Sequence, residues 1–244
     1  MRNSKLPVIA APVGMSIGGG FEVVLHADHV VSHSNSVMGL VESFVGVVPA
    51  GGGCKETLYR WAENLGDNHY AAWKSFMNIG LGRRANSPQE ADALSMRRAN
   101  DVFHMNRDRI LNNALSSINK VSKAKAREPI ALSGAEHFQE MLDWLATNHH
   151  EGMLSPHDVT VGTEIGRIMT GGNCPSGTIF TEQDILDDER SSFITLAQTE
   201  ELHTAFEYSF RDAVMDGVCA TFSEVVMSVV DDRGAGGPET PVEE

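Results

Sequence analysis

Cysteine is scarce. Cys54, Cys174 and Cys219 are the only three, far apart and without a CxxC pair, which argues against a disulfide framework and suits a reducing compartment such as the cytoplasm. Positive charge is also scarce: 19 Lys and Arg stand against 33 Asp and Glu, a formal net charge of −14. That balance argues against a nucleic-acid binder, which needs a basic face for phosphates, and against docking on an anionic membrane surface. No apolar run approaches the ~20 residues of a membrane span. The apolar stretch near the N-terminus is short and ends in glycines, so it does not read as a signal peptide. No G-x-G-x-x-G occurs, so no NAD site is expected on this chain. Gly46–Lys55 is not a P-loop, because Gly52 follows Gly51 where the motif needs Lys. Hydrophobic residues are plentiful, at 41%, enough for a packed core and against wholesale disorder. The length suits one large domain or two small ones.

The first part of the chain is rich in glycine and β-branched residues, and its character changes after about Cys54. Residues 8–13 read as a buried strand, 14–20 as a glycine-rich turn, 21–28 as a helix, 29–32 and 37–40 as short strands, and 45–53 as a loop with a second glycine cluster. Strand, turn, helix, strand order predicts an α/β unit. Helices are then expected over 56–65 and 69–81. Ser87-Pro88 and Ser155-Pro156 each read as a helix start with Ser as N-cap and Pro at the first position. Thr181 with Asp184 is close to a capping box. Apolar residues at helical spacing predict a helix over 106–126 and another over 133–148. The stretch from about 100 to 212 thus reads as helical, and the acidic, Gly- and Pro-bearing residues 231–244 as a disordered tail. The division expected is 1–100, 101–212 and 213–244.

Three features of Pro7–Glu56 carry chemistry. Gly18-Gly19-Gly20 precedes a helix, whose first turn offers unpaired N–H groups and a positive dipole end. Such a place can hold an anion or a developing oxyanion, where one lost donor costs roughly 10²–10³ in rate. Glu22 lies in that first turn, where the dipole alone favours a carboxylate. Glu42 follows the apolar strand 37–40, where desolvation would favour its neutral form. Two carboxylates in unlike environments can divide acid and base roles.

Pro7-Val8-Ile9-Ala10-Ala11, Gly14, Gly18-Gly19-Gly20, Glu22, His26-Ala27-Asp28, Gly39-Leu40, Glu42, Gly46 and Pro49-Ala50-Gly51-Gly52-Gly53 form an ordered set that closely resembles the crotonase (enoyl-CoA hydratase/isomerase) superfamily. Gly82-Arg83-Arg84, Ser87-Pro88-Gln89-Glu90-Ala91, Met105-Asn106-Arg107-Asp108-Arg109, Gly171-Gly172 and Asp187-Asp188-Glu189-Arg190 extend the resemblance to the C-terminal hydratase module of two-part 3-hydroxyacyl-CoA dehydrogenases. The resemblance implies a partial crotonase (ββα spiral) core of α/β class followed by an α-helical C-terminal region. It implies an enoyl-CoA hydratase of fatty-acid β-oxidation, a lyase adding water to trans-2-enoyl-CoA. Gly19, flanked by Gly18 and Gly20, would give an N–H to the thioester oxygen. Glu22 would hold the water and Glu42 deliver the proton. The partner implied is an acyl-CoA thioester, with CoA as part of the substrate and no cofactor or metal bound in this chain. Any NAD would sit on an upstream domain, and self-association would run through the core. In that family several strands precede this stretch and supply a second oxyanion N–H and much of the CoA surface. Only six residues precede Pro7, so the expectation is half a core with little activity alone.

Gly14-Met15-Ser16-Ile17-Gly18 also fits G-x-S-x-G between a strand and a helix. A serine hydrolase using Ser16, with Asp158 and His203 as candidate partners, is therefore an alternative, though it leaves Glu42 and the second glycine cluster unexplained. An inactive crotonase-like binding or structural partner is the alternative outside catalysis. His149-His150 does not read as a metal site, because adjacent residues do not share a helix face. Lys120, Lys123, Lys125 and Arg127 read as a solvated helix end, and Met153 and Met169 as core.

Overall fold

A computed structural model of the chain describes residues 4–202. The chain divides into Met1–Thr199 and Glu200–Glu244. Cys219, His203 and the predicted acidic tail lie outside the described residues.

The first unit opens with β1 (Ile9–Ala10), β2 (Met15–Ile17), α1 (Gly19–Leu25), β3 (His29–His33) and β4 (Val37–Gly39). The buried strand expected over 8–13 is thus two residues, and the stretch read as one glycine-rich turn contains β2. Single bends explain both: Gly14 adopts φ 97° between β1 and β2, a conformation glycine reaches without a Cβ clash. A 3₁₀ turn, Glu42–Val45, leads to the second glycine cluster, and α2 (Gly53–Leu65) starts inside that cluster. Next come α3 (Asn68–Gly80), β5 (Arg84–Ala85), α4 (Pro88–Ala93) and β6 (Val102–His104). Ser87 caps α4 as expected, accepting from the Glu90 N–H.

Two small sheets hold this region. β3 is central in the order β1-β3-β6, all parallel, and β4 is central in the order β2-β4-β5. β3 is buried along Val30 and Val31, as a covered parallel strand should be. β6 is fixed to it from Asp101, whose Oδ1 accepts from Val30 N at 2.9 Å and Oδ2 from Arg98 N at 2.8 Å. Asp28 does the same at the other edge. It accepts from Val8 N at 2.7 Å and Ala124 N at 2.9 Å, and Lys123 Nζ reaches it at 3.0 Å.

The helix expected over 106–126 is much shorter. α5 covers Ile110–Ser117, flanked by 3₁₀ turns, and residues 121–129 are irregular. Asp28 draws Lys123 and Ala124 out of the helical path, and Pro129 cannot continue it. The basic run is correspondingly not a solvated helix end. Lys123 pairs with buried Asp28, and Arg127 pairs with Glu56 and Glu63.

β7 (Ile130–Ala131) and β8 (Ile179–Phe180) form an antiparallel pair around α6 (Ala135–His150) and α7 (Pro156–Thr170), and α8 (Glu182–Ala197) follows. The capping box expected at Thr181 with Asp184 is complete, and the helix start expected at Ser155 is a capping box as well, closed by Asp158. α6 and α7 pack closely because α7 offers glycines: a Cβ on Gly162 would stand 2.5 Å from Leu145 Cδ2. Met169 is core, as expected, but Met153 is 64% exposed, because it falls in the turn after α6 and not on a helix face.

Candidate active site

The site starts at Gly18. It adopts φ 56° and ψ −135°, a region closed to most L-residues. Its N–H donates to Gly39 O at 2.9 Å, tying the turn to the end of β4. Its own carbonyl accepts from Phe21 N and Glu22 N, which starts α1. The first-turn N–H groups of a helix have no intrahelical acceptor, so those of Gly19 and Gly20, both exposed, face outward at the positive end of α1.

α1 aims the buried Glu22 at the second glycine cluster. Glu22 Oε1 accepts from Gly51 N and Gly53 N, both at 2.8 Å. The glycines make room for it: a Cβ on Gly51 would lie 2.6 Å from Glu22 Oε2, and one on Gly53 2.8 Å from Oε1. Glu42 arrives from the 3₁₀ turn after β4. Neither of its oxygens, both buried, meets a hydrogen-bond donor at good geometry. A Cβ on Gly18 would come 3.5 Å from Glu42 Oε1, and one on Gly19 3.9 Å from Glu22 Oε2. Two carboxylates from separate elements therefore converge on consecutive residues of one turn.

Their environments differ. Burial raises the Glu22 pKa, against the pull of the Gly53 and Gly51 N–H groups. Glu42 is pushed up to about 7, first by burial and then by the nearby Glu22 charge, with partial relief from the backbone at Glu42 and Val41. Near neutrality Glu42 thus exists in both protonation states, while Glu22 holds two fixed donors that favour its anion.

A third carboxylate reaches the same place. Glu189 of α8 is fully buried, and accepts from Gly52 N at 2.8 Å through Oε2 and from Lys55 N at 2.6 Å through Oε1. Burial pushes it up to about 8, with Glu22 adding to the rise and Lys55 opposing it. Glu22 and Glu189 together occupy the N-terminus of α2, where the dipole and free N–H groups favour anions. Lys55 counters them. Its buried Nζ lies 2.5 Å from Glu182 Oε1, 3.3 Å from Glu56 Oε1 and 3.1 Å from His26 Nε2. His26 Nδ1 meets Glu22 O at 2.7 Å. With Nδ1 as donor there, Nε2 is left to accept from Lys55.

The sequence reading assigned Glu189 no role in this site. Its signal was positional: Ile185, Glu189, Ser192 and Leu196 share the buried face of α8, and an acid on such a stripe needs a partner. Ser16, the alternative nucleophile, donates to Gly20 O at 3.2 Å. Its candidate partner Asp158 is engaged in the α7 cap, and His203 lies outside the described residues. The described geometry therefore brings no base to Ser16.

The model of the enoyl-CoA hydratase/isomerase family matches residues 1–91. A Bacillus subtilis protein named a probable 3-hydroxyacyl-CoA dehydrogenase is 31% identical over 201 residues, 81% of this chain and 26% of that protein. The chain thus spans about a quarter of that relative. Carnitinyl-CoA dehydratase of Escherichia coli K12 is 47% identical over 51 residues, 21% of this chain and 20% of that enzyme. A Streptomyces avermitilis crystal structure described as an enoyl-CoA hydratase superposes with a TM-score of 0.51 at 13% identity, over 95% of this chain and 65% of that one. The mixed helix and sheet architecture is accordingly crotonase-like. The similarity to the enoyl-CoA hydratase/isomerase family is thus carried by residues 1–91, the stretch that holds Glu22, Glu42 and both glycine clusters.

Proposed function

We propose that this chain carries the acid–base pair and one oxyanion donor of an enoyl-CoA hydratase module that acts on trans-2-enoyl-CoA in fatty-acid β-oxidation. The observation supporting this reading is the convergence of Glu22 and Glu42, in unlike environments, on the Gly18-Gly19 turn. Glu22, oriented by Gly51 and Gly53, binds the water and takes its proton as the oxygen attacks Cβ. The double-bond electrons move to the thioester oxygen, where the Gly19 N–H at the start of α1 stabilises the enolate charge. Glu42 in its protonated form then delivers a proton to Cα, and the proton taken by Glu22 restores the pair for the next cycle. A group poised near neutrality suits that donation, and each such acid–base step contributes about 10²–10⁴-fold.

In this reading the second oxyanion donor and most of the CoA-binding surface come from outside the described residues, so the chain alone turns over far below ordinary hydratase rates. The test is hydration of crotonyl-CoA, followed by loss of enoyl absorbance. In any preparation with measurable turnover, Glu22→Gln and Glu42→Gln each reduce the rate by about 10²–10⁴-fold. Turnover unchanged in both variants would overturn the assignment, and ordinary hydratase rates from the chain alone would overturn its dependence on further protein.

A further inference from the structure

Away from the carboxylate site, α3 and α6 face one another along a seam. On α3, His69, Trp73 and Phe76 fall at i, i+4 and i+7; on α6, His137, Glu140 and Trp144 fall at i, i+3 and i+7. Trp144 meets Trp73 edge-on at 6.5 Å and Phe76 at 5.7 Å between ring centroids. One turn further along, the seam changes from aromatic to metal-ligating. The His69 and His137 rings lie 3.6 Å apart, and His69 Nε2 stands 3.2 Å from Glu140 Oε2. One donor atom from each of the three side chains lies within 4.8 Å of the other two.

We propose that His69, His137 and Glu140 bind a late first-row divalent cation of the Zn²⁺ type and so clip α3 to α6. Three details favour this over a hydrogen-bonded pair beside a ring stack. His137 Nδ1 meets Ser133 O at 3.1 Å. That bond fixes the tautomer and leaves Nε2 with its lone pair, as the outer partner of a metal-bound histidine usually does. The His69–Glu140 separation also equals that between two ligands of one tetrahedral Zn²⁺, ~3.3 Å for bonds of about 2.0–2.1 Å. The cation would take the place of the proton between them. The frame on either side is fixed as well: Asp67 caps α3, and Asn68 Nδ2 donates to Ala131 O at 2.7 Å just before α6. Two imidazoles and one carboxylate suit Zn²⁺ and its neighbours and not Mg²⁺ or Ca²⁺, which take oxygen ligands. Because the groups are partly exposed, water completes the coordination.

The proposal is independent of the hydratase chemistry, and its test needs no turnover. Zn²⁺ is titrated calorimetrically into the metal-free full chain. One ion per chain is expected. His69→Ala, His137→Ala and Glu140→Ala should each weaken binding by about tenfold or more, and Zn²⁺ should raise the Tm of the parent but not of His69→Ala. Far-UV circular dichroism verifies that the variants fold. A His149→Ala/His150→Ala variant should keep the parent affinity. No saturable binding to the parent, binding unchanged by His69→Ala and His137→Ala, or loss of binding in the His149/His150 variant would each overturn it.

Discussion

Gly51 and Gly53 are glycines because a carboxylate stands where their side chains would be. A Cβ at Gly53 would press at once on Glu22 Oε1 (2.8 Å), Pro49 Cβ (2.8 Å) and Leu40 Cδ2 (3.0 Å). Two of those three contacts come from well-packed apolar groups, so the strain cannot be relieved by one flexible side chain. Gly53→Ala is expected to lose about 1–3 kcal/mol, read as a shift in urea midpoint. The Glu22–Glu42 coupling has its own signature. The Glu22 charge helps to raise Glu42, so Glu22→Gln should bring the Glu42 pKa below its value of about 7, as followed by NMR titration of the Glu42 carboxyl carbon. An unmoved titration would mean that burial alone sets it. These two acids were legible in the sequence because they sit in a short ordered motif with the glycines that serve them. Glu189 was not, because its partners Gly52 and Lys55 lie more than 130 positions away and no local pattern marks that pairing.

At the scale of elements, the N-terminus of α2 gathers Glu22 and Glu189 within a buried shell, with Glu42 close enough for its charge to be felt. The sign of the resulting pH dependence follows from linkage. Glu42 and Glu189 are raised, from 4.5 to about 7 and about 8. Below pH 4.5 the acids are protonated in both folded and unfolded chains. Between 4.5 and about 8 the unfolded chain has lost protons that the folded one retains. Stability is therefore fullest at the acid side of that window and falls as pH rises through it. Held at about 7 instead of 4.5, Glu42 alone costs up to about 3 kcal/mol once ionised. Glu189→Gln and Glu42→Gln, which mimic the neutral acids, should each flatten the decline in urea stability between pH 5 and 8. An unchanged slope in both would show that the two groups ionise freely. Helix starts were the most legible elements, because a cap such as Ser155 with Asp158 is complete within four residues. The end of α5 was not, because the contact that stops it, Lys123 and Ala124 on Asp28, spans 95 residues or more.

At the scale of the whole molecule, the net charge of −14 conceals one buried cluster in which cations outnumber the acid they surround. Nine consecutive residues of α2, Gly53 to Trp61, are buried, so its charged members face protein on every side. Glu56 is fully buried and receives four cations: Arg127 at 3.0 Å, Lys55 at 3.3 Å, Arg98 at 3.6 Å and Arg60 at 4.0 Å. Two of these belong to α2 itself. Arg98 comes from the segment that anchors β6, and Arg127 from the irregular stretch before β7. The arginines go on to bind carbonyls of the α1–β3 junction, Arg60 and Arg98 both reaching Leu25 O and Arg98 also Ala27 O. One carboxylate thus joins three distant parts of the chain next to the α1–β3 junction. Its surroundings are already strained for the cations, since burial and the neighbouring Arg98 bring Arg60 down to about 9 despite Glu56. Removing Glu56 would take from Arg60 and Arg98 the carboxylate they contact and leave Arg127 with only the exposed Glu63. A buried pair broken on one side typically loses 3–5 kcal/mol, well above what a surface pair is worth. Glu56→Gln keeps the shape and removes only the charge, and it is expected to lose about that amount in urea unfolding at pH 7. A loss under about 1 kcal/mol would show that water reaches the arginines and that the cluster behaves as a surface network. In that case the hold on Leu25 and Ala27, and with it the position of α1 and Glu22, would have to come from the sheets alone.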